Sequence, residues 1–306
     1  MTTIVEAIAH ASEHLRTRSD SPLLDAQLLM SYVTKRERPW LLAHGDAPLP
    51  ANEHAHFVRL VARRAEGVPV AYLTHSAGFY GREFTVHSGV LVPRPETEHL
   101  IDRALVEIDR ATARGRRPVV LDVGTGSGAI AVTIACERPN ARVVATERSP
   151  GAVQLASTNA VRLGVANRVV ILEGDLHHPA TEYSPFDVVV ANLPYIPTRD
   201  LPRPPDSAGY EPRLALDGGS DGLDVYRRFV PELPRVVRPG GAIVLEAAPP
   251  TIGGLAALAR RVFNDATVEI IADYGGRARV VCILTREPDA PPRSSSTQSE
   301  PSSSHA

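Results

Sequence analysis

At 306 residues the chain is long enough for about two domains, and its 43% hydrophobic content is that of an ordinary globular protein. A formal net charge of −2 supplies no general drive toward nucleic acid or anionic lipid. No apolar run reaches the roughly 18 residues a membrane span needs, and Glu6, His10, Glu13 and Arg16 interrupt the first turns, so neither a span nor a signal peptide is expected and the expected location is cytoplasmic.

Residues 1–75 read as a helical bundle suited to docking a substrate. Ile4, Ala7, Ile8, Ala11 and Leu15 fall on one helical face; Leu23, Ala26, Met30 and Val33 do so again after Ser21-Pro22; Phe57, Leu60 and Val61 mark another. Lys/Arg and Asp/Glu balance at eight each up to residue 75, which argues against a DNA-binding module and against direct nucleic-acid contact. Trp40, beside Leu41 and Leu42, reads as a core anchor. Residues 76–93, with Gly78, Gly81 and Gly89 among short alternating segments, read as a hairpin linker. Arg94 follows at a junction where its guanidinium suits a carboxylate of the protein or of a ligand equally, and Pro95 can open a helix through Leu100, Ile101, Leu105 and Ile108.

Residues 94–286 alternate strand and helix, with strands expected near 118–123, 142–147, 168–173, 186–191, 241–246, 267–272 and 278–284. That alternation predicts an α/β fold, a doubly wound and mostly parallel seven-stranded sheet, which binds ligands outside the carboxyl ends of its strands. The first strand empties into Gly124-Thr125-Gly126-Ser127-Gly128, then an apolar run at helical spacing. Three glycines in five residues let a ligand approach bare backbone beside a helix N-terminus. Glu147, ending the second strand, has the reach for a ribose hydroxyl, so NAD and S-adenosylmethionine fit this loop about equally. Asp175 follows the third strand and Asn192 the fourth.

Asn192-Leu193-Pro194-Tyr195 carries the information that the glycine loop lacks. A planar nitrogen is a poor nucleophile because its lone pair is delocalised, so alkylating it requires a fixed orientation. The Asn192 oxygen can accept one N–H, the carbonyl of Leu193 or Pro194 another, and Tyr195 can lie against the plane. Cys136 and Cys282 sit in apolar stretches and read as buried thiols without chemistry. Residues 287–306, with seven serines and four prolines, read as a disordered tail.

With these motifs the sequence resembles the peptide chain release factor glutamine methyltransferases, the HemK/PrmC family. The resemblance rests on Pro69-Val70-Ala71-Tyr72-Leu73, on Val90 to Glu98 with its Pro-Arg-Pro-Glu-Thr-Glu core, and on Gly124 to Ala131. It continues through Asn192 to Tyr195, Tyr210 to Leu223 with Glu-Pro-Arg-Leu-Ala-Leu, and Gly276 to Val281. It implies a class I methyltransferase domain behind a small helical domain, with S-adenosylmethionine as cofactor and the Gly-Gly-Gln glutamine of a release factor as acceptor. By the same resemblance Gly124 to Gly128 would cradle the methionine end, Glu147 would hold the ribose, and Asp175 with Leu176 would border the adenine. Asn192, Leu193, Pro194 and Tyr195, with Arg94, would then meet the acceptor.

Three positions depart from the family pattern: Leu193 where proline is usual, Glu147 where aspartate is usual, and Ala247 to Pro250 where a glycine and then a glutamine are usual. Leu193 still supplies a carbonyl and Glu147 still reaches a ribose diol, so activity is expected to be retained. No metal is called for, because a sulfonium methyl is already electrophilic. The Asn-Leu-Pro-Tyr spelling is also similar to that of the ribosomal RNA adenine dimethyltransferases, so an N6-adenine methyltransferase acting on RNA or DNA is one alternative; a catalytically lapsed protein that binds a translation factor is another.

Overall fold

The computed structural model describes residues 2–287; the tail expected at 287–306 lies, beyond Glu287, outside the described residues. Five helices come first: α1 (Ile4–Leu15), α2 (Pro22–Thr34), α3 (Arg38–Ala43), α4 (Ala51–Ala65) and α5 (Val70–Thr74). A capping box starts α1, with the Thr3 N–H donating to Glu6 Oε2 at 2.8 Å and the Glu6 N–H to Thr3 Oγ1 at 3.4 Å. Leu15, Leu29, Met30, Leu41 and Phe57 close a core of their own around a buried Arg64–Asp25 pair at 2.6 Å. The buried face of α2 is Ala26, Leu29 and Met30, and Leu23 points to solvent. Trp40 is partly buried and packs against the edge of the bundle core. Helix α3 has six residues and buries one face, so Leu41 is fully buried, Trp40 half-buried and stacked on His44 at 4.3 Å, and Leu42 in solvent.

A two-stranded hairpin, β1 (Ser76–Phe79) and β2 (Arg82–Thr85), joins this bundle to the rest. Its two-residue turn, Tyr80-Gly81, has positive φ at both positions, the conformation that matches the twist of paired strands. The chain from Val86 to Arg94 then runs without regular structure into a 3-10 turn at Pro95–Thr97 and helix α6 (Glu98–Ala113).

β-branched runs form β3 (Val119–Val123), β4 (Arg142–Glu147), β5 (Val169–Glu173), β6 (Phe186–Ala191), β7 (Val237–Glu246), β8 (Thr267–Ala272) and β9 (Ala278–Leu284). They pair in the order β5-β4-β3-β6-β7-β9-β8, with β9 alone antiparallel to its neighbours. The sheet is buried on both faces, so its central strand carries no polar alternation: every residue of β6 is buried. Val188 and Val190 pack under α6, α7 (Ala129–Glu137) and α8 (Pro150–Arg162). Val189 and Ala191 pack on the other face, which follows the short α9 (Arg213–Leu216) with α10 (Asp224–Phe229) and α11 (Pro249–Val262). Strand β7 begins earlier than the pattern predicts, because pairing with β6 resumes across Pro239-Gly240-Gly241 as an irregularity in register.

The strand order reverses between β3 and β6. From β3 the chain winds outward through β4 and β5, then returns to β6 on the other side, and this opens a crevice above the carboxyl ends of β3 and β6.

Candidate active site

Both motifs singled out in the sequence meet at that crevice. Gly124, Gly126 and Gly128 have φ of 74°, 57° and 82°, a left-handed region in which a side chain is strained. Space is short as well. A Cβ on Gly124 would stand 3.0 Å from the Leu193 side chain, and one on Gly128 would stand 3.1 Å from Ala156 Cβ on α8. The loop is held from below by Asp122, whose Oδ2 accepts the Thr125 hydroxyl at 2.6 Å and the Ala131 N–H at 3.1 Å. Burial pushes the Asp122 carboxyl up to about 7.

Glu147 closes the loop from the side. Its Oε2 accepts the Gly126 N–H at 2.9 Å and its Oε1 the Ser149 N–H at 2.8 Å. Each oxygen keeps a lone pair for a further donor, which suits a vicinal diol. Asp175 pairs with Arg228, and Leu176, itself at φ 50°, is buried at the crevice wall. With Val90, Ala152 and Ile130 these residues line a cleft of about 240 Å³ whose lining is mostly apolar.

Across the cleft stands the loop after β6. The Asn192 Nδ2–H donates to Thr97 Oγ1 at 3.0 Å, while Asn192 Oδ1 accepts no hydrogen bond among the described residues. Leu193 is buried against Gly124, and its N–H donates to the Tyr226 hydroxyl at 3.2 Å. Asn192, Leu193 and Pro194 line the cleft; Tyr195 does not, because its hydroxyl turns inward to Glu246 Oε1 at 3.3 Å. Arg94 also lines the cleft, gripping the buried Glu211 with Nη2 at 2.7 Å from each carboxylate oxygen. Burial raises the Glu211 pKa and the neighbouring guanidinium opposes it.

Sequence reasoning passed over Thr97, Glu211, Arg228 and Glu246. Thr97 and Glu211 lie inside segments quoted for their spelling, and those spellings were the available signal. What each side chain touches, 95 residues away for Thr97 and 117 for Glu211, has no local signature.

The cleft satisfies what S-adenosylmethionine would demand: bare glycine backbone for its methionine end, a carboxylate with spare acceptors for the ribose, and an apolar wall for the base. It also presents an unpaired amide oxygen at the edge of that space.

Residues 6–74 match the PrmC N-terminal domain, and residues 116–268 match a methyltransferase domain. The chain is 38% identical over 286 residues to the release factor glutamine methyltransferase of Moorella thermoacetica, covering 93% of this chain and 99% of that one. It is 38% identical over 286 residues to the Bacillus subtilis protein of the same name, across 93% and 98% of the two chains. A Xylella fastidiosa relative, also so named, is 44% identical over 223 residues, 73% of this chain and 79% of its own. Among solved structures, the T. thermophilus 16S rRNA N2 G1207 methyltransferase in complex with AdoMet and guanosine has a TM-score of 0.50 at 24% identity, over 69% of this chain and 50% of that one. That likeness is one of fold.

Proposed function

The chain belongs to the release factor glutamine methyltransferase family, and from that membership we infer that it transfers the methyl group of S-adenosylmethionine to the side-chain amide nitrogen of a glutamine in a peptide chain release factor. The observation that carries this reading is full-length likeness across both domains, joined to an acceptor loop that offers a free amide oxygen beside the glycine cradle.

Each residue role is our assignment. Gly124 to Gly128 hold the methionine end of the cofactor, Glu147 its ribose, and Asp175 with Leu176 border its adenine. When bound, S-adenosylmethionine supplies an electrophilic sulfonium methyl. Asn192 Oδ1 accepts one N–H of the acceptor amide and the carbonyl of Leu193 or Pro194 accepts the other, so the nitrogen faces the methyl in line. Pro194 has no N–H, which leaves the loop rich in acceptors. Tyr195, tied to Glu246, fixes the end of the loop. Arg94 supports the mouth of the cleft through Glu211, within reach of an incoming backbone. The amide proton leaves to water after transfer. Catalysis rests on positioning, and on the exclusion of water by Val90, Leu176, Leu193 and Val225.

The balanced charge of the helical domain supports docking of a protein rather than of RNA. An acceptor from the translation apparatus supports a cytoplasmic enzyme, and among the described residues no helix is long and apolar enough to cross a membrane.

The test is transfer of labelled methyl to purified release factor, run beside ribosomal RNA and beside a factor whose acceptor glutamine is changed. Label on the intact factor alone is expected. Label on RNA would reassign the enzyme to the adenine methyltransferases, and cofactor binding without label on either would mark a different acceptor.

A further inference from the structure

Strands β6 and β7 end side by side, with Ala191 paired to Leu245, so the loop Asn192 to Tyr195 starts next to Glu246, the last residue of β7. Helix α10 reaches both strand ends through one side chain. Its Val225 and Arg228 line the cleft, while Tyr226 and Phe229, three residues apart on another face, have no solvent contact. The Tyr226 hydroxyl donates to the Glu246 carbonyl and accepts the Leu193 N–H at 3.2 Å. The transfer chemistry itself makes no use of this phenol.

A carbonyl can only accept and a backbone N–H can only donate, so the one phenol proton goes to Glu246 and the lone pairs of the same oxygen take Leu193. The partners alone set both directions. Burial pushes the Tyr226 pKa above its ordinary value of 10, which keeps the neutral hydroxyl that can donate and accept at once. At the far end of the loop the Tyr195 hydroxyl donates to Glu246 Oε1 at 3.3 Å. The loop is therefore fastened to Glu246 twice, near its start through Tyr226 and at its end through Tyr195.

The first fastening answers a need of position 193. Pro194 brings no N–H to the loop, whereas Leu193 brings one and is buried. A buried N–H without a partner is costly, and a carbonyl short of a donor is better tolerated. Without the phenol, the peptide between Asn192 and Leu193 would rotate toward another acceptor. That rotation displaces the Asn192 side chain on one side of it and the Leu193 and Pro194 carbonyls on the other, which are the acceptors assigned to the glutamine amide. We propose that Tyr226 is a positioning residue for methyl transfer, whose hydroxyl takes the Leu193 N–H and so holds the loop in the arrangement that orients that amide. This rests on the reading of residues 192–195 as the acceptor loop.

The experiment is a double-mutant cycle of Tyr226→Phe and Leu193→Pro, with Asn192→Ala beside it, read by steady-state kinetics on release factor and by S-adenosylhomocysteine affinity in calorimetry. Tyr226→Phe keeps the ring and removes only the hydroxyl; Leu193→Pro removes the N–H that needs it. We expect Tyr226→Phe to lower kcat about tenfold, with cofactor affinity and the KM for release factor within about threefold of wild type. In the Leu193→Pro background we expect the same change to cost less than about twofold, because no donor is left to orphan. A kcat within about twofold of wild type for Tyr226→Phe, or an equal loss in both backgrounds, overturns the positioning role and leaves Tyr226 as packing. Should Leu193→Pro fail to fold, NMR hydrogen exchange at the Leu193 amide decides on Tyr226→Phe alone: exchange about tenfold or more faster than in wild type is expected, and a lowered kcat with unchanged exchange overturns the role. If Asn192→Ala still transfers methyl at the wild-type rate, the reading of the acceptor loop fails first and the inference falls with it.

Discussion

Asp122 lies under the glycine loop with no solvent contact, and its Oδ1 has no partner among the described residues. Its carboxyl is raised from the ordinary 3.8 to about 7, so the folded protein binds this proton more tightly than the unfolded chain does. The stability it contributes is therefore complete below about pH 4 and is lost as pH rises through about 7. Asp122→Asn keeps an oxygen for Thr125 and Ala131 and should flatten that part of the curve of unfolding free energy against pH, measured by chemical denaturation of the cofactor-free protein. An unchanged slope between pH 4 and 7 would show that Asp122 stays ionised under the loop. Residue types at strand ends were legible: the glycines, Glu147, Asp175 and Asn192 all stand along the carboxyl edge of one sheet. The partner of each was not. Asn192 reads in sequence as a free amide, yet half of it is committed to Thr97, and Tyr195 reads as a stacking ring, yet its hydroxyl is anchored inside.

The strand, turn and helix around Gly128 act together as an element. Gly128 precedes α7 at φ 82°, and the Asn159 Nδ2–H from α8 donates to the neighbouring Ser127 carbonyl at 2.8 Å and to Thr85 O at 3.0 Å. One side chain thereby joins the hairpin to the cofactor loop. Gly128→Ala should cost about 1 to 2 kcal/mol of stability through the left-handed backbone alone. It should also weaken cofactor binding, because Ala156 blocks the new methyl from behind; denaturation and calorimetry on the same protein check both. At this scale the sequence was most informative, since β-branched runs closed by glycine or a polar residue locate β3, β4, β5, β6, β8 and β9 closely. It was least informative where tertiary pairing overrides a breaker, as at Pro239-Gly240-Gly241 in β7, and where a helix is too short to bury every apolar residue it carries, as at Leu42 in α3.

Across the whole molecule, the helical bundle meets the sheet domain through the segment just before α9. The Tyr210 hydroxyl donates to Glu66 O at 2.6 Å, Arg64 Nη1 donates to Ser207 Oγ at 2.9 Å, and Gly67, at φ 102°, lies so close to Pro205 that a Cβ would stand 1.9 Å from its carbonyl oxygen. Gly67→Ala should therefore push the bundle off this segment, lowering stability by about 1 to 3 kcal/mol and raising the KM for release factor more than that for the cofactor. Equal changes in both KM values would place the effect in the cleft itself. The two-domain plan could be read from the change of periodicity near residue 75, but this seam could not, because its partners lie about 140 residues apart.

The short segment from Arg94 to Glu98 is tied to Glu211, Arg279, Asn192 and the Tyr80 N–H, and three of these four partners are 95 or more residues distant in sequence. Contacts of that separation carry the largest loop-closure entropy and form late in folding. On the assignment proposed for Asn192, this segment is expected to seat late, and a chain that has built its sheet without it should bind cofactor yet leave a release factor unmodified. For this protein, methyl transfer is a more demanding test of complete folding than cofactor binding is.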